Sequence, residues 1–300
     1  MARHNSPANQ RRRAERNQVQ AGITDDVRLF GRMVRRRKNR SVTIISQGDS
    51  WFDYPMLLQG FDNGNIMDWI CEWVQSKGII ANIMRLEDNG AEAIELAAGE
   101  DFEDFEEAVE ATSNLDFVLL SMGGNDFGGS DDIFDFVRNE VEGDETTPES
   151  WFYLDRVEET MTLIIESYKR HIKTAVACHP EVNVIAHCYD YFQPSEVGIR
   201  ILWNAIQISC PWVSIGMHHI PKQVQLEMVT WLMQDLRTRL QALNEEFPNF
   251  HLVDTQNTLK PGKTRDWTNE IHPTSDGFKR IAKKVYTRMK ELDSRLPKVR

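Results

Sequence analysis

The feature of this sequence that most constrains its fold is a set of five short apolar runs, separated by longer segments with helical periodicity. The runs are SVTIIS (41–46), IIANIMR (79–85), DFVLLSM (116–122), VNVIAHC (182–188) and FHLVDT (250–255). Short runs that are rich in β-branched residues and flanked by turn-forming residues are typical of strands buried on both faces. Their alternation with helices predicts an α/β fold, with a five-stranded parallel sheet covered by helices on both sides.

The composition fits a globular chain without a membrane-spanning segment. The 300 residues are 41% hydrophobic and 27% charged, which is typical of globular domains. No apolar run approaches the roughly 18 residues that a transmembrane helix requires. The N-terminal segment is charged and lacks the apolar core of a signal peptide. We therefore predict a cytoplasmic protein.

Cysteine usage predicts neither disulfides nor a metal centre. The four cysteines are Cys71, Cys178, Cys188 and Cys210, and none of them forms a CxxC pair. In a cytoplasmic chain such residues are expected to be reduced thiols, most of them buried. A zinc site that combines Cys178 and its neighbour His179 with the His-Cys pair at 187–188 fits no common ligand spacing. We expect no metal and no cofactor.

Charge divides the chain into two parts of opposite sign. Residues 1–40 hold 12 of the 35 Lys and Arg residues and 3 of the 46 Asp and Glu residues, so this segment has a net charge of +9 and residues 41–300 have −20. We predict that residues 1–40 form a flexible basic arm. The arm either contacts an anionic surface or folds back on the acidic domain, and no specific nucleic-acid target is predicted.

The remainder is predicted to be one folded domain, residues 41–300, with insertions near 130–150 and 189–221. Within the arm, a short helix over 25–39 is expected to place Val27, Phe30 and Val34 on one side. The long connection over 189–221 suits a functional loop or a small subdomain.

Polar and glycine-rich segments follow four of the five predicted strands, where ligand sites of open parallel sheets collect. The segments are Gly48-Asp49-Ser50, Asn89-Gly90, Gly123-Gly124-Asn125-Asp126 and, after a longer loop, Ile271-His272-Pro273. Each segment alone is also an ordinary turn or helix start. Their shared placement at the carboxyl ends of different strands is far more specific, and it predicts a site at this edge of the sheet.

The four segments offer complementary chemistry. The Ser50 hydroxyl needs a base to become a nucleophile, and His272 is the residue type that supplies one. The backbone N–H groups of Ser50 and Gly90 and the side-chain amide of Asn125 are donors that can hold a developing oxyanion.

These blocks resemble the SGNH/GDSL hydrolase family, whose four motifs match GDSW around Ser50, NG at Gly90, GGND at Asn125 and IHP at His272. The resemblance spans about 41–290. It implies a three-layer α/β/α sandwich and a serine esterase, with Ser50 as nucleophile, Gly90 and Asn125 in the oxyanion hole and His272 as general base. It also implies small-molecule, lipid or carbohydrate esters as substrates.

Two positions depart from that family pattern. The Leu of GDSL is Trp51 here, which is expected to alter packing or line the pocket. The Asp that usually lies three residues before the His is Asn269, which can orient the imidazole but cannot stabilise its charge. Asn269 itself, Glu270, Asp266 and a backbone carbonyl remain open as the third member. A catalytically degenerate binding protein is therefore the alternative function.

Two further polar residues lie near the predicted site. Asp49 is expected to cap the turn at Ser50 through backbone N–H groups and to take no part in the chemistry. His187, at the end of the fourth strand, either contacts substrate or is a hydrogen-bonded structural histidine.

Overall fold

The structure of the protein, a computed structural model, describes residues 7–37, 41–55, 58, 63–128, 133–201, 206, 207, 209, 211 and 213–299.

The strands and helices of the described residues alternate through most of the chain. The strands are β1 (Ile23–Thr24), β2 (Ser41–Gly48), β3 (Ile80–Arg85), β4 (Phe117–Ser121), β5 (Asn183–His187), β6 (Arg200–Ile201), β7 (Ile206–Gln207) and β8 (Phe250–Val253). The helices are α1 (Pro7–Ala21), α2 (Val27–Arg37), α3 (Ser50–Asp53), α4 (Ile66–Gln75), α5 (Ala93–Leu96), α6 (Gly99–Glu110), α7 (Asn125–Gly128), α8 (Ile133–Phe136), α9 (Leu154–Cys178), α10 (Val213–Gly216), α11 (Lys222–Glu246) and α12 (Ser275–Leu292).

The main sheet has six parallel strands in the order β1-β3-β2-β4-β5-β8. The five strands predicted from the apolar runs are all present. The prediction of a five-stranded sheet is wrong by one strand, because β1 pairs with β3 and forms the edge of the sheet, with Ile23 opposite Ile83. This strand is only two residues long and follows a polar helix, so no apolar run marks it.

The N-terminal segment contributes to the fold, which corrects the predicted domain boundary at residue 41. Helix α2 buries Val27, Phe30 and Val34 in the main hydrophobic core, as its predicted periodicity requires. The Arg37 guanidinium donates to the backbone carbonyl of Ala81 in β3. The part of the predicted basic arm that is exposed includes Arg28, Arg32, Arg35 and Arg36 on the outer face of α2. Residues 1–6 and 38–40 lie outside the described residues.

Helices cover both faces of the sheet. Helices α4 and α12 pack against each other on one face, and α2, α6, α9 and α11 form the layer on the other. This agrees with the three-layer α/β/α arrangement. Because every strand of the main sheet runs in the same direction, the carboxyl ends of β2, β3, β4 and β5 meet at one edge.

The two predicted insertions are compact in their described parts. The first contains α8 and a 3₁₀ turn at Pro148–Trp151, and residues 129–132 lie outside the described residues. The second contains the antiparallel pair β6–β7 and α10. Cys210, in the second insertion, also lies outside the described residues.

The described cysteines are free thiols. Cys71 and Cys188 are buried and Cys178 is exposed. Within the described ranges, no group of three or more His, Cys, Asp and Glu side chains is arranged to hold a metal ion. No helix of the described chain is both long and apolar enough to span a bilayer.

Candidate active site

Ser50 begins helix α3 directly after the central strand β2. Asp49 is the N-cap of this helix and its carboxylate accepts a hydrogen bond from the Trp51 backbone N–H at 3.0 Å. The Asp49 backbone N–H donates to the carbonyl oxygen of Ser121 at the end of β4. The turn is therefore fixed on both sides, and the expectation that Asp49 caps it is confirmed.

His272 meets Ser50 from the loop before α12, 222 residues further along the chain. The distance from Ser50 Oγ to His272 Nε2 is 2.8 Å, and both side chains are almost fully buried. The Trp51 indole N–H donates to the Ile271 carbonyl at 3.1 Å, which fastens the two segments together. Trp51 also lines the cavity beside Ser50, so the substitution for Leu affects both packing and the pocket.

Asn269 is hydrogen-bonded to the other ring nitrogen of His272, Nδ1. Its Oδ1 accepts hydrogen bonds from the backbone N–H groups of Ile271 and His272, at 3.0 and 2.8 Å, and lies 3.1 Å from His272 Nδ1. Because backbone N–H groups can only donate, the amide oxygen must face them. His272 Nδ1 therefore carries the proton, and the lone pair of Nε2 faces the Ser50 hydroxyl.

Glu270 is fully buried, but its carboxylate is hydrogen-bonded to other segments of the chain and not to His272. It accepts hydrogen bonds from the backbone N–H groups of Val213 and Ser214 at 2.9 and 3.0 Å, and from that of Glu196 at 3.2 Å. This carboxylate fastens the long connection to the His272 loop. It is not the group that the structure places at the imidazole nitrogen.

Asp266 is also engaged away from the imidazole. Its carboxylate accepts a hydrogen bond from the Arg280 guanidinium at 2.5 Å and from the Lys260 backbone N–H at 2.8 Å. Of the candidates for the third member that the sequence left open, the structure brings Asn269 to His272.

The two predicted oxyanion segments are hydrogen-bonded to each other. The Asn125 side-chain amide donates to the Ala91 carbonyl at 3.0 Å, and the Asp126 carboxylate accepts from the Ala93 backbone N–H. Gly90 has a φ of +100° and nothing lies within 4 Å of the position that a Cβ would take. This backbone conformation favours glycine and leaves the peptide accessible.

A small cavity joins Ser50 to Asn125. Its lining also includes four largely apolar side chains, those of Trp51, Tyr189, Phe192 and Ile271. The volume is about 10 Å³, roughly the space that one water molecule needs. A ligand group that enters without rearrangement must therefore be short.

Burial sets the electrostatics of the site. It lowers the pKa of His272 to about 3, because a buried imidazole loses the hydration of its charged form. It raises the pKa of Asp49 to about 6, against the opposing effect of hydrogen bonds from Tyr189, Trp51 and Ser121. At neutral pH His272 is therefore uncharged and able to accept a proton.

A polar network lies behind the Ser50 turn, and sequence reasoning missed most of it. The Asp49 carboxylate accepts hydrogen bonds from the hydroxyl groups of Ser121 and Tyr189, and His187 Nε2 lies 3.0 Å from Ser121 Oγ. Gly124 permits this packing, since a Cβ there would lie 2.7 Å from the Tyr189 ring. The His187 ring stacks on Trp51 with centroids 5.5 Å apart, its Nε2 is hydrogen-bonded to Ser121, and the residue does not line the cavity beside Ser50, which favours the structural histidine of the two alternatives.

Tyr54 is the second contact that sequence reasoning missed. Its ring stacks on the His272 imidazole, with centroids 4.1 Å apart and planes 26° apart, and its hydroxyl lies 3.3 Å from Asn269 Nδ2. Nothing in the spacing of the sequence indicates this contact, because 218 residues separate Tyr54 from His272.

Comparison with solved structures identifies the fold of the chain. No protein-family model and no curated protein sequence matches the chain. Among solved structures, the lipase Lip_vut3 from goat rumen metagenome is 14% identical with a TM-score of 0.52, covering 82% of this chain and 97% of that one. A protein described as a GDSL-like lipase from Parabacteroides merdae is 12% identical with a TM-score of 0.52, covering 85% and 97%. The chain therefore has the SGNH/GDSL hydrolase fold, and at this level of identity the likeness concerns the fold alone.

Proposed function

We propose that the protein is a serine hydrolase that cleaves carboxylic esters, with Ser50 as the nucleophile and His272 as the general base. One observation carries the proposal. Ser50 Oγ lies 2.8 Å from an imidazole nitrogen whose lone pair is directed at it, because Asn269 holds the proton on the opposite nitrogen. The fold supports the same reading, since SGNH/GDSL hydrolases carry a serine at this strand end.

In the proposed mechanism the Ser50 oxygen attacks the acyl carbon while its proton passes to His272 Nε2. The negative charge on the substrate oxygen is held by the N–H groups of Ser50 and Gly90 and by the Asn125 amide. Collapse of this tetrahedral species breaks the bond to the alcohol, which leaves with the proton from His272. Water, deprotonated by His272, then attacks the acyl carbon. The bond to the Ser50 oxygen breaks, that oxygen takes the proton back from His272, and the acid is released.

The cavity supports a preference for short acyl groups. Its four apolar lining residues suit an uncharged acyl chain, and its small size, roughly the room that one water molecule needs, favours a short one. Among p-nitrophenyl esters we expect acetate to be cleaved faster than butyrate, and butyrate faster than octanoate.

The test combines turnover with covalent labelling. We expect hydrolysis of p-nitrophenyl acetate and reaction with a fluorophosphonate probe, and both should disappear in Ser50→Ala. Ser121→Ala is the matched control, because Ser121 is also hydrogen-bonded to a histidine and should leave the labelling in place.

The competing proposal is a catalytically degenerate binding protein with the same fold. Asn269 favours it, since a neutral amide does not stabilise an imidazolium as a carboxylate does. Folded protein that neither labels nor turns over any of the three esters would support this alternative and contradict the hydrolase.

A further inference from the structure

The proposed Ser50–His272 pair lacks the negative charge that usually completes such sites. A buried carboxylate orients the imidazole and stabilises its charged form. Asn269 can orient the imidazole, but it cannot stabilise the charged form because its amide is neutral. The buried ring of Tyr54 also lies directly against the imidazole ring of His272, with centroids 4.1 Å apart.

Tyr54 is held firmly in this position. It follows α3 directly, so one short segment carries both the nucleophile and the ring that packs on the base. Its backbone carbonyl accepts a hydrogen bond from the Asn65 side chain at 3.2 Å, and its ring also packs near Phe278. The side chain is 1% exposed, so the stack on His272 is shielded from water.

Tyr54 contacts both residues that share the hydrogen bond at His272 Nδ1, which are His272 itself and Asn269. Its face covers the His272 ring, and its hydroxyl oxygen accepts a hydrogen bond from Asn269 Nδ2 at 3.3 Å. That bond uses the amide N–H₂ group and so favours the orientation in which Oδ1 faces His272 Nδ1. The hydroxyl thus supports the tautomer, and the ring limits rotation of the imidazole.

We propose that Tyr54 is a positioning residue for His272, which fixes the Asn269 amide through its hydroxyl and stabilises the developing imidazolium through its ring face. The inference rests on the proposed hydrolase function. The physical basis is that the face of an aromatic ring is electron-rich and attracts a cation, most strongly where water is excluded. Since the charge on His272 develops during proton transfer, the effect should be on kcat and not on KM.

The test is a double-mutant cycle with Asn269→Asp. In the native background we expect Tyr54→Leu to lower kcat for p-nitrophenyl acetate about tenfold, with KM changed less than twofold. In Asn269→Asp the new carboxylate supplies charge stabilisation, so the same Tyr54→Leu change should lower kcat by less than about threefold. An equal loss in both backgrounds would mean that Tyr54 only fills space, and would overturn the proposal.

Two further variants separate the hydroxyl from the ring. Tyr54→Phe keeps the stack and should lower kcat severalfold at most, and it also serves if Tyr54→Leu does not fold. Tyr286→Phe is the matched control, because Tyr286 is similarly buried and its hydroxyl donates to the Pro297 carbonyl, away from the site. It should leave kcat unchanged.

The ¹⁵N spectrum of His272 tests the positioning role without any turnover. We expect a single Nδ1–H tautomer with sharp ring resonances in the native protein. In Tyr54→Leu the backbone N–H groups of Ile271 and His272 still hold the amide oxygen, so we expect the same tautomer but exchange-broadened ring resonances, because the imidazole has lost the ring that limits its rotation. Equally sharp imidazole resonances in that variant would overturn the proposal. If the native protein shows no Ser50-dependent turnover or labelling, the hydrolase function fails, and these spectra still decide whether Tyr54 positions His272.

Discussion

Two serine–histidine pairs lie within the same buried region, and by distance they are nearly alike. Ser50 Oγ is 2.8 Å from His272 Nε2, and Ser121 Oγ is 3.0 Å from His187 Nε2. Burial lowers the pKa of His272 to about 3 and that of His187 to about 4. Neither the separation of the atoms nor the burial of the imidazole distinguishes a candidate nucleophile from a structural serine.

The direction of the hydrogen bond distinguishes them. Ser121 donates its proton to the Asp49 carboxylate at 3.0 Å, so it can only accept from His187 Nε2–H. The remaining nitrogen of that ring, Nδ1, is buried without a hydrogen-bond partner among the described residues. Asn269 imposes the opposite tautomer on His272. His272 is thus arranged to accept a proton from Ser50, whereas His187 donates a hydrogen bond to Ser121.

Access separates the two pairs further. Ser50 begins a helix and lines a cavity together with Asn125, whereas Ser121 is the last residue of strand β4, is 0% exposed and does not line that cavity. A Ser–His contact is therefore a catalytic candidate only where an acceptor holds the proton on the far nitrogen of the histidine and a cavity lies beside the serine hydroxyl.

The largest expected difference between the pairs follows from replacing each histidine by glutamine. His272→Gln removes the general base, so kcat for p-nitrophenyl acetate should fall by about 10²–10⁴-fold. His187→Gln should change kcat by no more than severalfold and should lower the melting temperature, because it disturbs a buried polar network. Steady-state kinetics and thermal unfolding measure both. Comparable losses of activity in the two variants would remove the distinction between the pairs.

The next effect concerns the charge that the Ser50 pair lacks. Asn269→Asp places a carboxylate beside His272 Nδ1, which raises the pKa of His272 from about 3 towards its usual value. Since the base must be uncharged to accept a proton, the acidic limb of kcat/KM should move to higher pH. We expect kcat above that limb to rise about tenfold through stabilisation of the imidazolium. A pH–rate profile that does not move would show that residue 269 does not govern the protonation of His272.

The sequence predicted the strands of the sheet better than the side-chain contacts of the candidate site. Five apolar runs predicted the five long strands of the sheet. The structure places Ser50 within 2.8 Å of His272 and across a small cavity from Asn125, and the catalytic roles of these residues stay predictions. The two-residue strand β1 was missed because its pairing with β3 depends on tertiary context. The choice among Asn269, Glu270 and Asp266 also stayed open, since the local spacing does not reveal that Val213 and Ser214 bind Glu270 and that Arg280 binds Asp266.

A smaller effect is expected from the carboxylate that both pairs share as a neighbour. Burial raises the pKa of Asp49 to about 6, above the value of roughly 3.9 in an unfolded chain. The folded protein therefore binds this proton more tightly, and stability is lost as the pH rises from about 4 to about 6. In Asp49→Asn this loss should disappear, with a difference of about 1–3 kcal/mol in the pH dependence of the unfolding free energy. Parallel pH–stability curves for the two proteins would contradict the shifted pKa.

The smallest expected effect on activity is that of Ser121→Ala. Removal of this hydroxyl leaves Asp49 with one donor fewer and leaves the N–H of His187 without its acceptor, so unfolding should become easier by about 1–3 kcal/mol. Tyr189 and the Trp51 backbone still bind Asp49, and the turn that carries Ser50 keeps its cap. The fluorophosphonate labelling rate should consequently stay within about threefold of the native rate. A much larger loss would mean that the pair at Ser121 holds the nucleophile in place, and the two pairs would then act as one site.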